Sequence, residues 1–386
     1  MKRILWLAPA LSLAALAQER SAITREGQYW VDAVTGSAAV RETVRATTQG
    51  AVSVQGISGA KMVTYTLKRR ARAATEAEAR ALFEGIKLKT SEQGGATRLE
   101  VLVSKRGRAS ADLKLRVPRR LRETTVETGG GAITASDLDG ALRAETGGGR
   151  IEVDRVQGAV TVRTGGGAVR LGRIGGKLEC FSGGGAITAE SLGAEAGLNT
   201  GGGSILVREA KAPVRARTTG GSIRIERAAR GVQVAAGSGL IDIVEAGGPV
   251  AVETGSGSIK IRSAANVRCE SGAGTIRLEA VSGTVRAEAG AGNIVAGFSG
   301  ARKLENSALR TNKGDITVLI PSNLAVTVEA TNNTPGAQRI VSDFREIRAR
   351  LQEGNSGSEA SGSINGGGAV LRLSSSSGTI YLRRQR

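Results

Sequence analysis

Between Thr128 and about Gly300 the chain alternates apolar and polar residues in short runs, and the runs recur every 18 residues. In one copy Ile133 and Ala135 flank Thr134, and Leu142 and Ala144 flank Arg143. Alternation of period two marks a strand with one buried face, so each copy predicts two short strands. Aligned copies give an inward column of Ile133, Ile151, Val169, Ile187, Ile205, Ile223, Ile241, Ile259, Ile276 and Ile294. The facing column is Leu142, Val160, Leu178, Ala196, Val214, Val232, Val250, Val267 and Val285. A strand period inside a fixed longer period predicts an all-β chain: a parallel two-sheet β-solenoid of about ten 18-residue coils over residues 121–300. At about 4.8 Å per coil, ten such coils make a rod of roughly 48 Å.

The copies are punctuated by glycine triplets: Gly129-Gly130-Gly131, then 147–149, 165–167, 183–185 and 201–203. Worn versions follow, from Thr219-Gly220-Gly221 to Gly290-Ala291-Gly292. A coil that reverses within two or three residues needs positive φ or close backbone approach, and glycine allows both. Thr or Ser precedes most triplets (Thr128, Thr146, Thr164, Ser182, Thr200, Thr218, Thr254, Ser271), and stacked hydroxyls are expected to bond along the rod. Cys180 and Cys269 fall in one inward column five coils apart, roughly 24 Å at the coil spacing. A disulfide needs Cα atoms within about 7 Å, so two buried free thiols are expected.

Residues 18–120 lack the period and predict a small mixed α/β module ahead of the solenoid. Lys61–Arg69, Leu99–Val103 and Leu113–Val117 alternate as strands, and Gly50–Val54 resembles one coil. Thr75 stands where a helix N-cap belongs, with Glu76 and Glu78 in the first turn and Ala77, Ala81, Leu82 and Ile86 as its apolar stripe. Beyond Gly300 the period breaks, and residues 301–386 predict an irregular β cap. Strands are expected over 315–320, 324–330, 370–373 and 379–382, with a Gly/Ser-rich loop or hairpin over 354–368. Such a cap covers the edge of the last coil.

At the start, Lys2 and Arg3, the apolar run Ile4–Ala17 and the small residues at Ala15 and Ala17 predict a signal peptide over residues 1–17, cleaved before Gln18. The run falls short of the about 20 apolar residues of a membrane-spanning helix, and no later stretch reaches that length. An extracytoplasmic protein without an integral membrane segment is expected.

Charge narrows the partners. Loss of Lys2 and Arg3 lowers the net charge from +19 to +17, which favours anionic surfaces. Nucleic acid is not expected, because export separates the protein from it and aromatics are only 2% of the residues. An anionic envelope glycan, a lipid or a surface protein fits better. Histidine is absent, which removes the commonest zinc ligand and the commonest general base at neutral pH. No cofactor and no metal are expected. A calcium β-roll needs an aspartate in each Gly-rich turn, whereas these turns read Gly-Gly-Gly-Ala-Ile-Thr and Gly-Gly-Gly-Ser-Ile-Leu. No triplet leads into Gly-Lys-Ser/Thr, so none is a phosphate loop.

The candidate ligand contacts are outward cations. On the first sheet they are Arg170, Arg224, Lys260 and Arg277, and on the second Arg143, Arg215, Arg268 and Arg286. Arginines on successive coils suit a polymer with repeating anionic groups. Each is also an ordinary solvated residue, and Glu145, Glu253, Glu270 and Glu288 in the neighbouring column offer diagonal neutralisation.

The repeat Val-Glu-Thr-Gly-Gly-Gly-Ala-Ile, Arg116-Val117-Pro118 before it, Asp315-Ile316-Thr317-Val318 with Pro321, Ser342-Asp343-Phe344, Gly366-Gly367-Gly368 and Ser377-Gly378-Thr379-Ile380 together resemble a known family. The chain is similar to the bacterial adhesin-like proteins with Gly-rich β-solenoid repeats, largely a domain of unknown function. The resemblance covers nearly the whole chain after residue 17, implies the solenoid fold, and brings no catalytic residues with it. The expected function is a non-enzymatic, exported binding or scaffold surface at the cell envelope. The alternatives are an envelope-polysaccharide-cleaving β-helix enzyme and an envelope-stress or assembly accessory protein.

Overall fold

The structure is a computed structural model that describes residues 19–93, 95–104, 108–300, 302–352, 354 and 356–385. The leader expected over 1–17 lies outside the described residues. Two sheets stand back to back. Each coil contributes one strand to each sheet, and each strand pairs in parallel with its equivalent one coil on.

The registers reproduce the columns read from the repeat. On the first sheet Ile133 lies beside Ile151, Ile151 beside Val169, and so on to Ile276 beside Ile294. On the second, Leu142 leads through Val160 and Leu178 to Val267 and Val285. Both columns are buried and belong to one continuous core. β-Branched side chains suit it because each fits a pleated surface with little rotamer freedom to lose. Cys180 and Cys269 point into this core as free thiols. Burial pushes the Cys180 thiol up to about 12 and raises that of Cys269 as well.

The intact corners use the second of the two freedoms that glycine offers. None of the five intact triplets has positive φ; close approach is what excludes a side chain. A Cβ at Gly149 would meet the Gly131 carbonyl of the coil before, and one at Gly147 would meet that of Gly129. At the middle position, as at Gly130, Gly148, Gly166 and Gly184, a Cβ would meet nothing. The worn copies carry Ser238, Ser256, Ala273 and Ala291 at that middle position. The repeat has drifted where a side chain has room.

The hydroxyl ahead of each triplet locks the corner. Thr164 Oγ1 donates to the Gly149 carbonyl one coil back at 2.9 Å and accepts from Gly167 N at 3.1 Å. Thr146, Ser182, Thr200 and Thr218 do the same. Where Ala236 replaces the hydroxyl residue, Gly239 turns to φ 95°, a conformation that favours glycine.

The stack runs beyond the periodic segment at both ends. Thr43–Thr48 and Val52–Ile57 pair in parallel with Glu123–Thr128 and Ile133–Leu138. Ala96–Val103 and Ala109–Pro118 add a further layer in parallel. Antiparallel strands then finish the end, Ile86–Gln93 on the second sheet, and Met62–Ala71 and Tyr29–Ala39 on the first. The helix Glu76–Glu84 is capped by Thr75, whose hydroxyl accepts from Glu78 N. Its buried face is Ala79, Leu82 and Phe83; Ala77 and Ala81 are exposed and Ile86 belongs to the next strand, so the stripe lies one step from the sequence reading.

The C-terminal residues are more regular than their sequence. Ile316–Ile320 and Ile380–Arg384 continue the first sheet in register, with Ile316 beside Ile380. Ser307–Lys313 and Ala369–Ser375 continue the second. Between these layers an insertion folds out and returns. Its strand Val326–Asn332 pairs in parallel with Ala369–Ser375, and Ser358–Ile364 pairs with it antiparallel. Of the loop or hairpin expected over 354–368, Ser358–Ile364 is a strand that also pairs antiparallel with Arg348–Leu351, as in a hairpin.

Candidate functional site

Side chains on the outer face of a solenoid sit at coil spacing, so a row of equivalent positions becomes a physical row of groups about 4.8 Å apart. On the second sheet one such row reads Glu127, Glu145, Arg163, Phe181, Asn199, Arg217, Ala235, Glu253, Glu270, Glu288 and Arg310. Beside it run the corner glycines, which have no side chains. A wall of long side chains next to a bare backbone strip makes a shoulder groove along the rod.

That groove has two segments. One, of about 970 Å³, runs from Phe181 past Arg217, Glu253, Glu270 and Glu288 to Arg310 and Asn312. The other, of about 490 Å³, runs from Phe181 back past Arg163 and Glu145 to Thr47. Phe181 lines both and is 48% exposed on a flat strand face. Arg163 and Asn199 flank it one coil to either side.

The arginines picked from the sequence stand on the outer faces, exposed, with Lys260 half-buried. Ion pairs occupy all but one. Arg143 meets Glu145 at 2.6 Å, Arg170 meets Glu152 at 3.5 Å, and Arg215 bonds Glu195. Arg224 bonds Asp242, while Lys260 and Arg277 share Glu279 at 3.1 and 3.4 Å. Arg268 meets Glu270 at 2.6 Å, which raises the Arg268 pKa. Among the described residues Arg286 alone of the eight has no ion pair. The set is thus spread over both faces and mostly neutralised.

Two features were missed. Glu253, Glu270 and Glu288 stack on successive coils, and only Glu270 has an ion-paired cation among the described residues. Phe181 was also missed, although its signal was present: it is the one aromatic at an outward strand position of the repeat. No group of three or more metal-ligating side chains occurs among the described residues. No helix among them is long and apolar enough to cross a membrane.

The family profile described as Toastrack DUF4097 matches residues 86–383. No curated protein matches the chain. Among solved structures, it is similar to a "putative cell adhesion protein" from Clostridium sporogenes, with 7% identity, TM-score 0.19, and coverage of 96% of this chain and 100% of that one. A "putative adhesin" from Parabacteroides distasonis has 12% identity, TM-score 0.27, and coverage of 75% and 91%. A "putative lipid binding protein" from the same species has 13% identity, TM-score 0.25, and coverage of 74% and 96%.

Proposed function

The chain belongs to the Toastrack family, a domain of unknown function, and from that premise we propose that it is a non-enzymatic, adhesin-like binding surface of the cell envelope. In this reading it works outside the cytoplasm and holds a linear glycan along the shoulder groove. Phe181 carries the reading. An aromatic ring left half in water on a strand face offers an apolar plate to the C–H face of a sugar ring. Arg163, Asn199 and Arg217 in the same row offer hydrogen bonds to its hydroxyls and carboxylates. A rigid row at fixed spacing suits a chain of like units, and a preformed groove avoids an ordering cost on binding.

The test is calorimetric titration of the purified protein with fragments of envelope glycan. Phe181→Ala is expected to weaken binding at least tenfold, and Arg286→Glu to leave it within twofold. Equal binding by the Phe181 variant, or release of new reducing ends, overturns the reading.

A further inference from the structure

The N-terminal end of the rod holds a second cavity of different character. The helix Glu76–Glu84 closes only part of the gap between the two sheets. A space of about 880 Å³ is left between Ile86–Lys89 at the edge of the second sheet and Arg20–Ile23 and Val34 at the edge of the first. Its floor is the end of the hydrophobic core: Val34, Leu67, Phe83 and Ile86 are each at most 5% exposed, and Ile23 and Leu88 are half-buried. The charged groups deep in the cavity cancel, since Arg69 Nε bonds Asp32 Oδ1 at 2.7 Å and both side chains are buried.

The rim carries its own cation. Arg20 pairs in register with Val34, so both side chains lie on the sheet's inner side and Arg20 stands over the mouth. Lys87 and Lys89 border the opposite edge but alternate with the inward Ile86 and Leu88, so they stand on the outer face of that strand, Lys89 opposite Glu100. Arg80 stands on the helix, tied to Glu76, and Glu84 is the one acid on the exposed rim. Among the described residues Arg20 has no ion pair. We propose that this end cavity binds a single-chain anionic amphiphile, with its alkyl tail on the Val34–Leu67–Phe83–Ile86 floor and its acidic head against Arg20. The volume lies within the range of small-molecule sites, and the apolar floor with a few polar groups at one end is their usual composition. The tail gains by leaving water, and the head gains by reaching a cation that has no ion pair.

The test uses the full chain and calorimetric titration with decanoate, dodecanoate and dodecanol below their micelle concentrations. Dodecanoate is expected to bind more tightly than decanoate by roughly fourfold per methylene. Dodecanol is expected to bind at least tenfold more weakly than dodecanoate. Arg20→Glu is expected to weaken dodecanoate at least tenfold while leaving dodecanol unchanged. Leu88→Trp fills the cavity at a half-buried position and is expected to abolish both, with the thermal unfolding of each variant read in parallel. Absence of dodecanoate binding by the wild-type chain overturns the proposal. So does equal binding of acid and alcohol, which means a neutral occupant. Undiminished binding by a folded Leu88 variant also overturns it, because the ligand then sits elsewhere.

Discussion

At the residue scale the corner sets the rules, and its glycines are not equivalent. Gly149→Ala drives a methyl into the backbone of the preceding coil and is expected to cost about 1–3 kcal/mol, as overpacking does. Gly148→Ala meets open space and is expected to change stability by less than about 0.5 kcal/mol. Urea unfolding of the two variants measures the contrast. Thr164→Val removes the bridge between the Gly149 carbonyl and Gly167 N, leaves both without that partner, and is expected to cost about 1–3 kcal/mol in the same assay. The thiols and Asp137 give the stability a pH dependence at each extreme. Cys180 is raised from 9.0 to about 12, so its contribution is complete below pH 9 and is lost as pH rises towards 12. Asp137 is lowered from 3.8 to about 2, so its contribution is complete above pH 3.8 and is lost as pH falls through 2. In unfolding curves, Cys180→Ala is expected to flatten the alkaline slope and Asp137→Asn the acid one.

At the element scale, a single buried pair anchors the terminal helix. Arg69 reaches across from Met62–Ala71 to Asp32, donates to the Phe83 carbonyl at 3.0 Å, and lies over the Phe83 ring. The helix end, two strands and a ring thus meet at one guanidinium. Removal of one partner from a buried pair leaves an uncompensated charge, so Asp32→Ala is expected to cost about 3–5 kcal/mol. Hydrogen exchange is expected to show the loss first in the helix and in Ile86–Gln93. Sequence alternation found the strand that bears Arg69 and the Thr75 cap, because both signals are local, but not Tyr29–Ala39 or Ile86–Gln93. It placed the helix stripe one step off, since which face is buried depends on where Leu67 and Arg69 meet it. It left 354–368 open between a loop and a hairpin, because Ser358–Ile364 is a strand only by virtue of its pairing with Val326–Asn332 and Arg348–Leu351.

At the scale of the whole molecule, stacked coils leave two open ends, and each must be covered. At the C-terminal end Ala369–Ser375 and Ile380–Arg384 are held between residues 307–320 and the insertion, whose strands Val326–Asn332 and Ile340–Ser342 stack outside them. Deletion of residues 369–385 uncovers Ile316, Val318 and Leu309, which are at most 1% exposed, along with the strand edges that bear them. Exposed apolar edges pair with other copies. The truncated chain is expected to elute as oligomers in size-exclusion chromatography while the full chain does not. Surface charge is organised on this scale too. The arginines picked from the sequence pair with acids mainly on the same strand or an adjacent coil, so the basic excess is spread through a lattice of ion pairs. Glycan capture through the groove is therefore expected to fall only modestly between low and high salt, since charges already neutralised by a neighbour leave little attraction for salt to screen.

The repeat alone determined the coil length, the two inward columns, the fate of both cysteines and the register of every periodic strand. The reason is that each coil packs against a near copy of itself, so neighbours in space are readable as equivalents in sequence. That logic stops where the neighbour is not a copy. Thr43–Ile57 joins the stack between strands that follow it by some fifty residues and those of the first periodic coil, and Ile380 lies on Ile316 across a long insertion. The amphipathic cavity at the N-terminal end and the groove beside Phe181 belong to the same class. Both arise where side chains from distant or adjacent coils leave space, and only the folded chain decides where space is left.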